Sequence, residues 1–260
     1  MVALHDAARP VKVSPSVVEL LVKCPLRWVI EKHGGADPAE LAAVTGTLVH
    51  ALAQAAAAGA SRDELMSELD RAWASVDAGA PWFSKREQRR VREMVDTFLE
   101  WLRASRSELT QVAVEQEVRV DLPGGVSVSG RVDRLEADAE GKPVIVDIKT
   151  GKSPVSAENA QENPQLAVYQ LAVAYGAFQE NREPGGARLV YVAKRAYGKA
   201  TERKQAPLDP EAVENWLKIV REAAQSTVGP DYAAVENPDC PRCPVRTACP
   251  LNPSGRQVTE

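Results

Sequence analysis

At 260 residues and 28.1 kDa, with 44% hydrophobic and 26% charged residues, the chain can bury a sizeable core as one large domain. A formal net charge of −4 neither supports nor excludes a nucleic-acid partner, because a binding groove needs only local basic residues. No apolar run is long enough to span a membrane and residues 1–10 lack a secretory apolar stretch, so a cytoplasmic protein without a disulfide framework is expected.

In chain order, Ser14-Pro15 reads as a helix cap with proline at the first helical position. Val17, Leu20, Leu21 and Val22 then supply an apolar face running on to Trp28 and Ile30. A second helix spans Glu40 to Ala58 in an alanine-rich stretch. Two more cover Arg62–Val76 and Lys85–Ser105, the latter with Val91, Met94, Phe98 and Trp101 at helical intervals. Residues 11–107 are thus expected to be mainly helical. The period then changes. Val112, Val114, Val118 and Val120 read as a strand, Pro123-Gly124-Gly125 as a turn and Val126–Glu136 as a second strand, together a hairpin. A third strand ends at Val144-Ile145-Val146-Asp147-Ile148-Lys149. A helix from Pro164 to Phe178, a strand at Arg188–Ala193 and a helix around Pro210–Ala224 follow. The expected core, 108–226, is an α/β sheet flanked by helices, and the tail from Glu236 is expected to be irregular.

Chemistry concentrates in Gly130-Arg131-Val132-Asp133 and Val146-Asp147-Ile148-Lys149. Strand side chains alternate, so Asp147 and Lys149 share a face, and the hairpin brings Asp133 beside them. Alone, D-x-K describes a solvated strand face. Here it ends an apolar run, where charged groups are rare unless paired or metal-bound. Two carboxylates and an ammonium at one point suit phosphodiester hydrolysis. Hard oxygen ligands hold Mg²⁺ or Mn²⁺, with the Ile148 carbonyl as a further ligand and Lys149 orienting water or stabilising charge.

Other residues take meaning from that trio. His50 lies one helical turn after Gly46 inside an Ala/Leu/Val helix and offers a third metal ligand, whereas His5 and His33 are expected in loops. Gln165 and Tyr169 share a helix face and could hold a DNA phosphate or base. Two basic clusters stand out: Lys85, Arg86, Arg89, Arg90 and Arg92, and Lys194, Arg195, Lys199, Arg203 and Lys204 beside Tyr191 and Tyr197. The second is the better candidate for tracking a strand, because Glu87 and Glu93 dilute the first.

Cys240-x2-Cys243-x5-Cys249 is a compact ligand set one thiolate short, and Cys24 is the only other cysteine. Thiolates suit zinc or an iron–sulfur cluster alike, although zinc more often uses two short pairs than one plus three.

Taken in order, Cys24, Gly46–His50, Gly130–Asp133, Asp147–Lys149, Gln165–Tyr169 and the cysteine trio resemble the PD-(D/E)xK nucleases, in the RecB-like branch that carries an iron–sulfur cluster. Ala80-Pro81-Trp82-Phe83, Thr150-Gly151-Lys152 and Gly255-Arg256-Gln257-Val258 are similar in wording to the C-terminal nuclease domain of the actinobacterial AdnAB helicase–nucleases. The resemblance implies a single RecB-like domain over 1–260 with a restriction-endonuclease-like mixed sheet, a helical N-terminal insertion and a cysteine-ligated tail at 236–252. It implies His50, Asp133 and Asp147 as metal ligands, Lys149 as catalytic, and Gln165 with Tyr169 completing the site. It also implies a [4Fe-4S] cluster on Cys24, Cys240, Cys243 and Cys249. The implied activity is DNA cleavage, as exonuclease or endonuclease, in double-strand-break repair beside ATP-driven helicase motors. The chain contains no G-x-x-x-x-G-K-[ST] loop of its own, which suggests an excised domain or a stand-alone relative. The competing reading is a DNA-binding module that does not cut.

Overall fold

The computed structural model describes residues 10–34, 41–178 and 182–252. His5, Glu40 and Gly255–Val258, each part of an expectation above, lie outside them. The described elements are β1 (Val11–Val13), α1 (Pro15–Lys23), α2 (Pro25–His33), α3 (Leu41–Ala57), α4 (Arg62–Trp73) and α5 (Pro81–Ser105). The strands β2 (Thr110–Leu122), β3 (Val126–Ala137) and β4 (Pro143–Lys149) follow, then α6 (Ala157–Gln161), α7 (Pro164–Ala174), β5 (Ala187–Ala196), β6 (Lys199–Gln205) and α8 (Pro210–Gln225). Two short 3₁₀ turns at Cys240–Arg242 and Arg246–Ala248 are the regular structure of the described tail.

One mixed sheet, ordered β1-β3-β4-β5-β6 with β2 on β3, lies between two helical layers. Strand β4 is buried on both faces. Val144, Val146 and Ile148 pack with Val190 and Val192 against α3, α4 and α5, while Ile145, Leu189 and Tyr191 pack against α7. Asp147 and Lys149 share the parity of Ile145 and so lie on the α7 side.

The edges of β3 position the site. Strand β2 pairs along its whole length on one edge. The other edge is divided: β1 takes Val126–Val128 and β4 takes Arg134–Ala137. Between them, residues 129–133 have no strand neighbour on that side. Pro15 packs there over Gly130, and the Tyr169 hydroxyl donates to the Arg131 carbonyl at 2.6 Å.

Several expectations change. The first helix breaks at Cys24, because Pro25 cannot supply the N–H that would continue it, and Val22 faces solvent. His33 is the last residue of α2, its ring edge-on to Trp28, and not in a loop. Helix α7 stops at Ala174, short of Phe178. Strands β1 and β6 were not expected. The first is three residues long. The second, Lys-Ala-Thr-Glu-Arg-Lys-Gln, is a polar edge strand without apolar alternation. No helix among the described residues is long and apolar enough to cross a membrane.

Candidate metal centre

The divided edge of β3 brings the acidic residues together. Asp133 Oδ2 accepts the Ile148 N–H at 2.7 Å, tying the end of β3 to β4 just where their ladder stops. Its other oxygen lies 3.4 Å from His50 Nδ1. A strand alternates its backbone edges, so the Ile148 carbonyl points to the same side as that N–H. Gly46, one turn before His50, faces Thr150, and a Cβ there would sit in ordinary contact 3.4 Å from Thr150 Oγ1.

Asp147 and Lys149 form a closed triangle with Gln165. The ammonium lies 2.8 Å from Asp147 Oδ2 and donates to Gln165 Oε1 at 2.9 Å, while Gln165 Nε2 donates to Asp147 Oδ1 at 2.9 Å. The glutamine therefore orients the carboxylate and is not presented to a nucleic acid. Tyr169 is likewise only 5% exposed, its hydroxyl spent on Arg131. Both differ from the expected strand contacts, because α7 is a buried helix packed on the sheet.

Glu115 escaped the sequence reading. The β2–β3 ladder runs Val114↔Arg134 then Gln116↔Val132, which leaves Glu115 opposite Asp133 with φ +48. Left-handed backbone in a glutamate costs about 1 kcal/mol or more. The result is that ligand atoms of His50, Glu115 and Asp133 all lie within 4.8 Å of one another. Arg131 neutralises Glu115 from 3.4 Å. Positive φ is a property of the assembled sheet and leaves no local signature in Val-Glu-Gln-Glu.

The electrostatics fit a cation. Burial pushes the Asp147 carboxyl up to about 6; Lys149 opposes the rise and Asp133 adds to it. Its buried Oδ2 faces the Lys149 ammonium at 2.8 Å. The Asp133 carboxylate holds the His50 pKa above its ordinary value against burial. Lys149 stays protonated: burial works against its charge, but Asp147 outweighs it. Two carboxylates, one imidazole and a strand-edge carbonyl, with Asp147 beyond them on β4, make a hard-donor set for Mg²⁺ or Mn²⁺.

All four cysteines line one cavity of about 600 Å³, between the α1–α2 junction and the tail. Among the described residues no three thiols lie within 4.8 Å of one another. A tetrahedral zinc site with Zn–S near 2.3 Å would place them about 3.8 Å apart.

Both basic clusters are partly tied to the protein's own groups. Arg195 is bound by Thr97 and Glu100, Arg203 by the Val155 and Glu202 carbonyls, and Lys204 lies 3.7 Å from Glu108. In the other cluster Arg86 and Arg90 are held by Glu87 and Arg92 by Asp70, and Arg86 and Arg90 line a groove with Lys152.

A family model described as the PD-(D/E)XK nuclease superfamily matches residues 12–250. The solved "Crystal structure of SSO0001" is similar at 16% identity and a TM-score of 0.43, over 95% of this chain and 89% of that one. No curated protein matches.

Proposed function

The chain belongs to the PD-(D/E)XK nuclease superfamily, and on that premise we propose that it hydrolyses DNA phosphodiesters, at single-stranded ends, with Mg²⁺ or Mn²⁺. The observation that carries this reading is the gathering of His50, Glu115 and Asp133 beside the Asp147–Lys149 pair. His50, Glu115 and Asp133, whose ligand atoms lie within 4.8 Å of one another, would hold the cation, with Asp147 and the Ile148 carbonyl as further ligands. When bound, such a cation polarises the phosphate and eases ionisation of the attacking water. The residues of the chain do the rest. Gln165 fixes Asp147 and Lys149 against each other, and Lys149 is a charged donor for the attacking water or the phosphate oxygens. His50 must shed its proton before ligating.

The cavity shared by all four cysteines supports a [4Fe-4S] cluster on Cys24, Cys240, Cys243 and Cys249, with zinc as the alternative. With it goes the RecB-like assignment, and a cytoplasmic role in double-strand-break processing beside helicase motor domains, as in AdnAB-type enzymes. The test is digestion of end-labelled single- and double-stranded DNA in Mg²⁺ or Mn²⁺. Wild type is expected to cut, and Asp147→Ala to lose at least about 100-fold in rate while staying folded. A wild type that binds DNA but cuts with neither metal would replace the nuclease by a binding module.

A further inference from the structure

We propose that a groove between the first half of α5 and the Thr150–Lys152 loop holds the phosphates of a single DNA strand adjacent to the scissile one, with Trp82 stacking on a base. This rests on the nuclease reading above and extends it from the metal centre to the surface that grips the substrate.

Two neighbouring cavities, of about 480 and 380 Å³, share Arg86, Glu87, Arg90 and Lys152 along their walls. The larger reaches the backbone of Thr150 and Gly151, and the smaller adds Arg89. Lys152 is three residues beyond Lys149, so their Cα atoms lie within about 11 Å of each other. That is a span of one to a few phosphates.

The charges are built for an outside partner. Glu87 is only 6% exposed, and its carboxylate accepts from Arg90 Nε at 2.7 Å and Arg86 Nε at 3.3 Å. One buried anion thus holds two guanidiniums in place, with N–H donors left over for phosphate oxygens. Arg89 and Lys152 are exposed and, among the described residues, make no hydrogen bond or ion pair. An aromatic surface completes the groove. The Arg86 guanidinium lies 4.8 Å from the Phe83 ring centre and 5.6 Å from that of Trp82, which is 68% exposed at the start of α5. A cationic track with a protruding indole is the recognition chemistry of a single strand, whose unpaired bases offer faces for stacking.

The test is fluorescence anisotropy of a labelled oligo-dT with the full chain, in EDTA so that metal-dependent cutting does not interfere. For Arg89→Ala/Lys152→Ala, binding is expected to weaken about tenfold in 0.1 M salt and the log–log salt slope to become shallower by about 1.4. Trp82→Ala is expected to bind about fivefold or more weakly. Lys142→Ala/Lys218→Ala, in the β3–β4 turn and on α8, is the control and should bind as wild type. Circular dichroism checks that each variant is folded. Wild-type affinity in the folded Arg89/Lys152 variant, or no binding by wild type, overturns the groove. A wild type that fails to cut DNA while these affinity losses appear removes the nuclease reading and leaves the groove standing.

Discussion

Burial pushes the Asp147 carboxyl up to about 6. A folded-state pKa above the unfolded one means that the stability contributed by this group is complete below about 3.9 and is lost as pH rises through about 6. At pH 8 the metal-free protein therefore carries a buried charge that a cation would relieve. Metal-free Asp147→Asn is expected to melt no lower than wild type at pH 8, even though Lys149 loses its partner, and to show no such advantage at pH 4. Added Mn²⁺ should raise the melting temperature of wild type only. Because Asp147 and His50 are both raised, and both must be deprotonated to ligate, Mn²⁺ affinity should fall about tenfold or more per pH unit below about 6. Calorimetric titration from pH 5 to 8 reads this; a flat profile would exclude these two side chains as ligands. Of these residues, Asp133, Asp147 and Lys149 were legible in the sequence because an apolar strand ending in charge is chemically anomalous. Glu115 was not, since its neighbours are as polar as it is and only the ladder opposite Asp133 gives it a role.

Strand β3 shows the same contrast among elements. The hairpin of β2 and β3 and the buried β4 could be read from alternation and from the Gly124-Gly125 turn, because each contributes apolar side chains to a core. The short β1 and the polar β6 could not, as edge strands owe their conformation to the neighbour they pair with. Nor does local sequence announce that β1 and β4 share one edge of β3 and leave residues 129–133 open between them. Gly130 is what allows that gap to be filled. A Cβ there would lie 3.0 Å from Pro15 Cδ and 3.7 Å from the Tyr169 hydroxyl. Gly130→Val is therefore expected to displace the first turn of α1 and draw Tyr169 away from the Arg131 carbonyl, at a cost of about 1–3 kcal/mol. The urea midpoint measures this. A variant as stable as wild type would show that the gap has slack that this packing does not suggest.

Across the whole molecule, the chain returns to its beginning. The tail docks on the α1–α2 junction through the Leu26 N–H to the Ala233 carbonyl at 3.0 Å, Asn237 Nδ2 to the Lys23 carbonyl at 3.2 Å, and Lys23 to Asp239 at 3.4 Å. These are modest, partly exposed contacts, worth little individually. A cluster ligated by Cys24 and the terminal trio would add a covalent tie closing a loop that contains β2 to β6, and a closure of that length restricts the unfolded chain strongly. Cys24→Ser is the informative variant, because it leaves all three tail thiols in place and removes only the long-range link. Anaerobically purified, it is expected to lose most of the broad visible absorption of the iron–sulfur group and to melt several degrees lower. Cleavage by protease should begin in the segment after α8. Mn²⁺ binding at pH 8 should persist, since none of the metal-centre residues touches the cysteine cavity. Unchanged iron content and melting temperature in Cys24→Ser would place the fourth ligand elsewhere and leave the tail held by its surface contacts alone.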